Sequence, residues 1–381
     1  MKKVHAVLGA LACAVGATAS AQTSVVLSGL VDLGLQTGKG VGDTKRATLM
    51  EPGGMTTSFF QIAGKEDLGG GLAASFTLGS FLRANTGVDG RFSGDPLFSR
   101  DANVGLSGDW GKVLIGRQID PAFLPTILFN PFVDSFDYSP LVFHTYLTPN
   151  QNPNPTNTNA ANNYVSPLFF SDSGYNNAVS YTTPHFGGLS ASVSYQLSGI
   201  AGESSKRNLG ANVLYFGGPL ALTAFFESNE LTNPNSSVYS NVVGAQPIFI
   251  NNNEYHLQGY TKANMYGIGG SLDLKVVKLF LNLDDTKYTA GSAGEVTGSD
   301  KTGDIGATVP LGAGALMIEG TYTKLSSGWA APISHAKWQT YAVGYDYTLS
   351  KRTDVYLNDK YDKFSGASTG NVIGFGIRHK F

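Results

Sequence analysis

The sequence predicts an all-β fold, a transmembrane antiparallel β-barrel of about sixteen strands. Three features carry that expectation. Segments of about ten residues alternate apolar with polar or small residues, and the connectors between them are alternately short and long. The chain also stops inside a strand. In its last residues Ile373, Phe375, Ile377, His379 and Phe381 share one side, and Gly374, Gly376, Arg378 and Lys380 share the other.

The amino-terminal residues read as an export signal. Lys2 and Lys3 precede an apolar run from Val4 to Ala17, and Ala19-Ser20-Ala21 supplies a small-residue cleavage site. Residues 1–21 are therefore expected to be removed, leaving 22–381 as the barrel. A lipid anchor on Cys13 would leave an unusually short apolar segment, and no cysteine follows it, so the exported chain has no disulfide or thiol chemistry. Charged residues are 14 % of the chain, against about 25 % in soluble domains. The formal charge of −2 gives no case for a nucleic-acid partner. No run of about 18 apolar residues suits a spanning helix. The 48 glycines, 18 tyrosines and 22 phenylalanines favour strands and tight turns instead.

The first strand is expected over Val25–Leu35, with Val25, Leu27, Val31, Leu33 and Leu35 towards lipid. Clean alternation recurs in Leu189–Gln196, Val277–Asp284 and Thr340–Tyr347. The polar face holds Gly, Ser, Thr and occasional charges, whereas the apolar face is almost free of charge. Short turns are expected at Gly64–Gly71, Gly108–Lys112, Pro184–Gly188, Phe216–Pro219, Lys275–Lys278, Pro310–Gly314 and Leu349–Arg352. Longer polar connectors fall at 37–56, 84–100, 118–175, 198–206, 228–264, 287–301, 324–337 and 362–370. Closure of the barrel pairs the last strand with the first, because an open edge in lipid would leave backbone groups unsatisfied.

The chain resembles the general porins of Gram-negative outer membranes, in particular the trimeric type of beta-proteobacteria. The resemblance rests on SVVLSGLVDLGL at 24–35, GKEDLGGGLAASF at 64–76, SRDANVGLSGDWGKVLIGRQ at 99–118, NAVSYTTPHFGGLSASVSYQ at 177–196, YAVGYDYTLSKRTDVY at 341–356 and the ending GIRHKF. It implies a long third loop folded into the pore and a homotrimer in the outer membrane, among outer-membrane lipid and lipopolysaccharide, passing small hydrophilic solutes and ions by passive diffusion. It also implies that Phe381 is the assembly signal read by the barrel-insertion machinery.

The longest connector, 118–175, is the expected constriction loop. Ile119–Leu147 is apolar and aromatic, and Asn150–Asn163 is rich in Asn and Pro. No Lys or Arg occurs from 118 through 205, so the loop's charge is acidic. Asp134 and Asp137 are the expected acidic lining of the constriction, with Asp120 at the loop's base; turn capping by these aspartates is the alternative. Arg83, Arg100 and Arg117 are the expected basic wall. Arg117 has formal outward parity and needs a bulge to re-aim it. Arginines facing carboxylates across a narrow gap set electrostatic selectivity, although rim arginines also pair locally.

The family commonly places arginine in the second strand and in the strand after the third loop. Here Phe59 and Ser180, both of inward parity, stand at those places. Inward-parity acids occur at Glu227, Asp273, Asp284, Asp304, Glu319 and Asp346. Weak selectivity or a cation preference is therefore expected in place of the group's usual anion preference. Phe59 also suggests a channel that prefers aromatic or organic acids, and the long loops leave open a role as adhesin or receptor. An enzyme is not expected. The histidines are scattered, no Ser-His-Asp or metal-ligand spacing emerges, Asp284 and Asp285 point to opposite sides of a strand, and no metal or cofactor is implied.

Overall fold

The computed structural model describes residues 24–91, 95–146, 172–202, 204, 207–230, 247–250, 253–256, 260–290, 295–326 and 334–381. The proposed leader, the Asn- and Pro-rich stretch 150–163 and most of the connector 228–264 lie outside them.

The elements are β1 (Ser24–Lys39), β2 (Ala47–Pro52), β3 (Phe59–Gly69), β4 (Leu72–Arg83), β5 (Val88–Asp89), β6 (Asp101–Gly108), β7 (Gly111–Ile119), α1 (Phe123–Leu128), α2 (Pro140–Tyr146), β8 (Gly174–Thr182), β9 (Leu189–Gln196) and β10 (Asn208–Gly217). They continue as β11 (Leu220–Glu230), β12 (Pro247–Ile250), β13 (Asn253–His256), β14 (Tyr260–Asp273), β15 (Lys278–Ala290), β16 (Glu295–Leu311), β17 (Gly314–Leu325), β18 (Lys337–Thr348), β19 (Thr353–Phe364) and β20 (Gly370–Lys380). Sixteen of these strands form one closed antiparallel barrel, with β2 and β5 as extra strands in the same sheet and β12–β13 as a separate hairpin.

Closure follows the expected route. Leu30–Lys39 of β1 pairs with Asn371–Lys380 of β20, and Gly29 and Phe381 exchange both backbone hydrogen bonds at 3.1 Å. Ile373, Phe375, Ile377 and Phe381 are exposed on the outer wall. Arg378 turns inward to Asp346 and Asp354. Outside, leucine, valine and tyrosine side chains form a lipid-facing coat that would be anomalous on a soluble protein.

Some boundaries differ from the sequence expectation. Strand β3 runs through Gly69, so the turn expected at 64–71 shrinks to its last residues. β15 and β16 extend to Ala290 and from Glu295, which shortens the connector expected at 287–301. Antiparallel pairing continues wherever a partner is present, so polar residues there remain in strand.

The second barrel strand is interrupted. On one flank β1 pairs with β3 through Ser24–Leu30 and with β2 through Leu33–Gly38. Residues 53–58 leave the wall between them. Asp32 holds that excursion: its Oδ2 accepts the Met55 and Thr56 amides, each at 2.8 Å. Ser58 Oγ accepts from the Asp32 amide at 2.9 Å and donates to the Asp32 carbonyl at 3.0 Å. Met55 is thereby placed among Phe132, Tyr138, Met317 and Tyr356, in an apolar cluster inside the barrel.

Candidate pore constriction

The third loop leaves the wall after β7 and returns at β8. Its ends are tied together by a buried ionic network. Asp172 pairs with Arg117 at 2.5 Å and with Arg91 at 2.6 Å, and Arg91 also pairs with Asp95 at 2.9 Å. Arg117 further donates to the Ser99 carbonyl and to Asn176 Oδ1. Burial alone would raise the Asp172 carboxyl, but the two guanidiniums outweigh it and hold the group well below the usual carboxylate range.

Arg117 thus differs from its expected place on the open wall. A register shift between Gly116 and Gln118 re-aims it, and Gly116, at φ 120°, takes a conformation that L side chains rarely adopt. The turned side chain meets Asp172 and is 7 % exposed, so it anchors the loop. Asp120 is likewise at the base: its Oδ1 accepts the Ala122 amide at 2.8 Å, and Tyr146 Oη donates to its Oδ2 at 3.4 Å.

From that base the loop follows the inner wall, and glycine-lined recesses receive it. A Cβ at Gly210 would lie 3.1 Å from Pro121, one at Gly306 2.6 Å from Pro131, and one at Gly344 2.8 Å from Phe132. Side-chain amides fix the backbone between these points: Asn212 donates to the Pro121 carbonyl at 2.7 Å, and Asn282 to the Phe129 carbonyl at 2.8 Å. Glu319 Oε1 accepts the Leu141 amide at 2.8 Å and Ser139 Oγ at 3.1 Å at the start of α2. His144 bridges Thr323 and Thr340, each at 2.7 Å, and stacks on Trp338 at 3.8 Å between ring centroids. Burial, aided by Lys360, pushes the His144 pKa well down, so its imidazole is neutral.

This arrangement changes the meaning of the inward acids. Glu319 caps the loop helix, Asp304 bonds Asn282 and Thr321, and Glu227 accepts from Tyr175 and Asn229. Asp273 accepts the Lys275 amide in a turn. They hold the loop and wall in place, where sequence parity alone suggested a charged lumen lining.

The tip of the loop crosses to the excursion at 53–58. Ser135 Oγ donates to the Gly54 carbonyl at 2.6 Å, and Thr56 Oγ1 donates to Asp134 at 2.9 Å. Burial raises the Asp134 pKa against the attraction of Arg378 and Arg100. Asp137 is pushed up to about 6 by burial, against the pull of Lys360 and a hydrogen bond with Glu51. Arg378 and Arg100 thus act electrostatically on Asp134, and Lys360 on Asp137.

Two of the other expected residues come together. The Arg100 guanidinium lies 3.5 Å above the Phe59 ring centre, with Asp101 3.6 Å away. Beside it Phe81, the cross-strand partner of Phe59, carries Arg91 at 5.1 Å. Arg83 sits at the end of β4 and donates to the Asp89 carbonyl at 3.4 Å. Ser180 is buried in the wall and donates to Gln118 Oε1. On the loop, Val133 is 47 % exposed and holds φ 54°, an uncommon conformation for a β-branched residue and a sign of local strain.

Sequence reasoning missed Lys360, Glu51, Asp32 and Thr56. Lys360 places its amine 3.8 Å over the Phe143 ring and acts electrostatically on Asp137. The available signals were an aspartate at inward parity in the first strand and a lysine among the inward residues of β19.

The Gram-negative porin family model matches residues 7–367. An outer membrane porin protein of Bordetella pertussis is 27 % identical over 439 aligned positions, covering 100 % of both chains. Outer membrane porin protein 32 of Delftia acidovorans is 29 % identical over 386 positions, covering 99 % of this chain and 94 % of that protein. Among solved structures, an anion-selective porin from Comamonas acidovorans superposes with a TM-score of 0.71 at 23 % identity, covering 94 % of this chain and 100 % of that one. OmpT of Vibrio cholerae gives 0.66 at 12 % identity, covering 94 % and 98 %. With its closed sixteen-strand barrel and a family match that spans most of its length, this chain belongs to the Gram-negative porins and is a channel protein of the outer membrane.

Proposed function

We propose that this porin passes small hydrophilic solutes and ions by passive diffusion, with weak ionic selectivity set where the third loop meets the wall. The observation that carries this reading is the link from loop to wall at Thr56, which donates to Asp134 at 2.9 Å and accepts from Arg378 at 3.1 Å, while Arg100 acts electrostatically on Asp134 and Lys360 on Asp137. Opposed charges in a narrow gap create a transverse field while largely cancelling the net charge that would favour one ion sign. Although the Comamonas structure is that of an anion-selective porin, this chain has Phe59 and Ser180 where the family commonly has arginine.

The test is the reversal potential of single channels in a KCl gradient. The expected permeability ratio lies within about threefold of unity, and Arg100→Ala moves it towards potassium. Strong chloride preference in the unmodified channel would overturn the reading. Lowering the pH supplies a second check. Asp137, with a pKa raised to about 6, is ionised at pH 8 and mostly protonated at pH 5, and Asp134 shifts in the same sense. Acidification through pH 6 should therefore move selectivity towards chloride; Asp137→Asn should remove part of that movement.

A second reading, preference for solutes that join an aromatic ring to a carboxylate, is supported by the Arg100–Phe59 stack. Such acids would block potassium current at millimolar concentration, and Phe59→Ala would relieve the block. We also propose residues 1–21 as the cleaved leader, a homotrimer as the assembled form, and Phe381 as the assembly signal. An outward groove of about 560 Å³ lined by Leu33, Leu35, Met50, Tyr345, Tyr347 and Phe375 favours the β18–β20–β1 wall as the trimer contact.

A further inference from the structure

We propose that Asp362 is a positioning residue for the third loop: through Thr340 it fixes the ring tautomer of His144, and so holds α2 to the wall in one directional chain of hydrogen bonds. This role rests on the reading of that loop as the pore's constriction and assigns what keeps the loop in one place.

Helix α2 has seven residues, all of them buried. A helix of two turns is unstable by itself, so its contacts with the wall must fix it. Glu319 serves the first turn. At the last turn His144 bonds two strands at once, Thr323 of β17 and Thr340 of β18. Those threonines are not cross-strand partners, because Thr323 faces Trp338 and Thr340 faces Thr321. The imidazole therefore bridges a diagonal step between the strands. On either side the links are direct. Thr302 faces Thr323 and bonds it at 2.8 Å, and Thr340 faces Asp362 and bonds it at 2.7 Å. A chain thus runs Asp362–Thr340–His144–Thr323–Thr302, from β19 to β16, with one member on the loop.

Only one direction satisfies every member. Trp338 Nε1 lies 2.7 Å from Asp362 Oδ1, and an indole N–H can only donate. That oxygen is thereby an acceptor, so Thr340 gives its single hydroxyl proton to it. The Thr340 oxygen must then accept, and its donor at 2.7 Å is His144 Nε2–H. Burial and Lys360 keep the imidazole neutral, so Nδ1 carries no proton and accepts from Thr323 at 2.7 Å. Thr323, its own proton committed, accepts from Thr302. Trp338 sets both plane and polarity: its ring carries the imidazole at 3.8 Å, and its N–H fixes the oxygen from which the chain starts.

Charge reaches this chain from several elements. Lys360 on β19 acts on both His144 and Asp362. Glu319 on β17 holds the other end of α2. Asp284 on β15 faces Thr302, with Asp300 two residues from Thr302 on β16. What the chain takes from Asp362 is an acceptor oxygen, however, and an asparagine carbonyl supplies the same acceptor. Alanine does not. Without that oxygen Thr340 is free to donate to Nε2, the imidazole takes the opposite tautomer, and Thr323 and Thr302 reverse with it. A fully satisfied network with one direction holds one arrangement, whereas a chain satisfied in both directions holds α2 in two.

Isotope labelling of the histidine ring nitrogens in the full barrel, reconstituted in lipid, reports the tautomer by magnetic resonance, and His144→Gln assigns the signal. The parent should show Nε2–H with a bare Nδ1, unchanged between about pH 6 and about pH 8 because the neutral ring persists there. Asp362→Asn should keep that pattern and parent-like currents. Asp362→Ala should convert at least about half of the signal to Nδ1–H and raise single-channel current noise about twofold. A role through charge alone would make the Asn and Ala variants alike. A parental Nδ1–H signal, an Asn variant that shifts with the Ala variant, or an Ala variant that keeps the parent tautomer would each overturn the assignment. Should the Ala variant fail to fold, Thr340→Val removes the relay while leaving Asp362 its bond to Trp338. It strands Nε2–H without an acceptor and should shift the tautomer in the same sense; an unchanged signal there would also reject the chain. A tautomer shift with parent-like currents supports the chain and tells against the third loop as the constriction.

Discussion

Replacing Asp172 by Asn should destabilise the folded barrel by about 3–5 kcal/mol, because it leaves the buried Arg117 guanidinium without a carboxylate and Arg91 with Asp95 alone. The magnitude follows from burial. Asp172 has a side-chain exposure of 3 % and pairs with Arg91 at 2.6 Å and Arg117 at 2.5 Å, so little solvent is available to replace it. Urea unfolding in lipid vesicles measures the effect, and a loss below about 1 kcal/mol would show that the network contributes little. The pH dependence has a definite sign. The folded carboxyl titrates below its ordinary value, so its stabilisation is present above about pH 4 and fades as pH falls further. Because the network joins the two ends of the loop, the variant should also show noisier single-channel currents.

The second large effect belongs to the tip. Phe132 is fully buried and sits against Gly344, where a Cβ would come within 2.8 Å of its ring. Phe132→Ala should cost about 3–5 kcal/mol of local stability by opening a cavity among Met55, Tyr138 and Met317. The freed tip should raise conductance and broaden its distribution. Gly344→Leu should disturb the same contact from the wall side, forcing the ring out and narrowing the pore. Combining the two lets the new leucine occupy part of the vacated space, so conductance should return towards the parent value. Additive effects in the double variant would refute the socket.

These contacts explain the division between what could be read early and what could not. Alternation exposed the strands because one face must meet lipid and the other cannot. Turn and loop lengths gave the strand count, and the carboxy-terminal strand announced closure because no edge can remain unpaired in a bilayer. The third loop's place and acidity were also legible from its length and its lack of lysine and arginine.

The roles of individual charges were not. Parity says that Glu319 and Asp304 point inward, but only the folded loop shows that Glu319 caps α2 and that Asp304 braces Asn282. Arg117 was foreseen to need a bulge, and the bulge aimed it at Asp172, which lies 55 residues along the chain. Met55 and Thr56 fall in an expected connector, and only the fold shows Asp32 holding their backbone inside the barrel. The sequence by itself determined the barrel, its membrane and its closing strand, because these depend on periodicity and local turn chemistry. The tertiary structure decided which charges brace the third loop against the wall, because that depends on partners brought together from distant strands, and a buried charge takes its role from its partner.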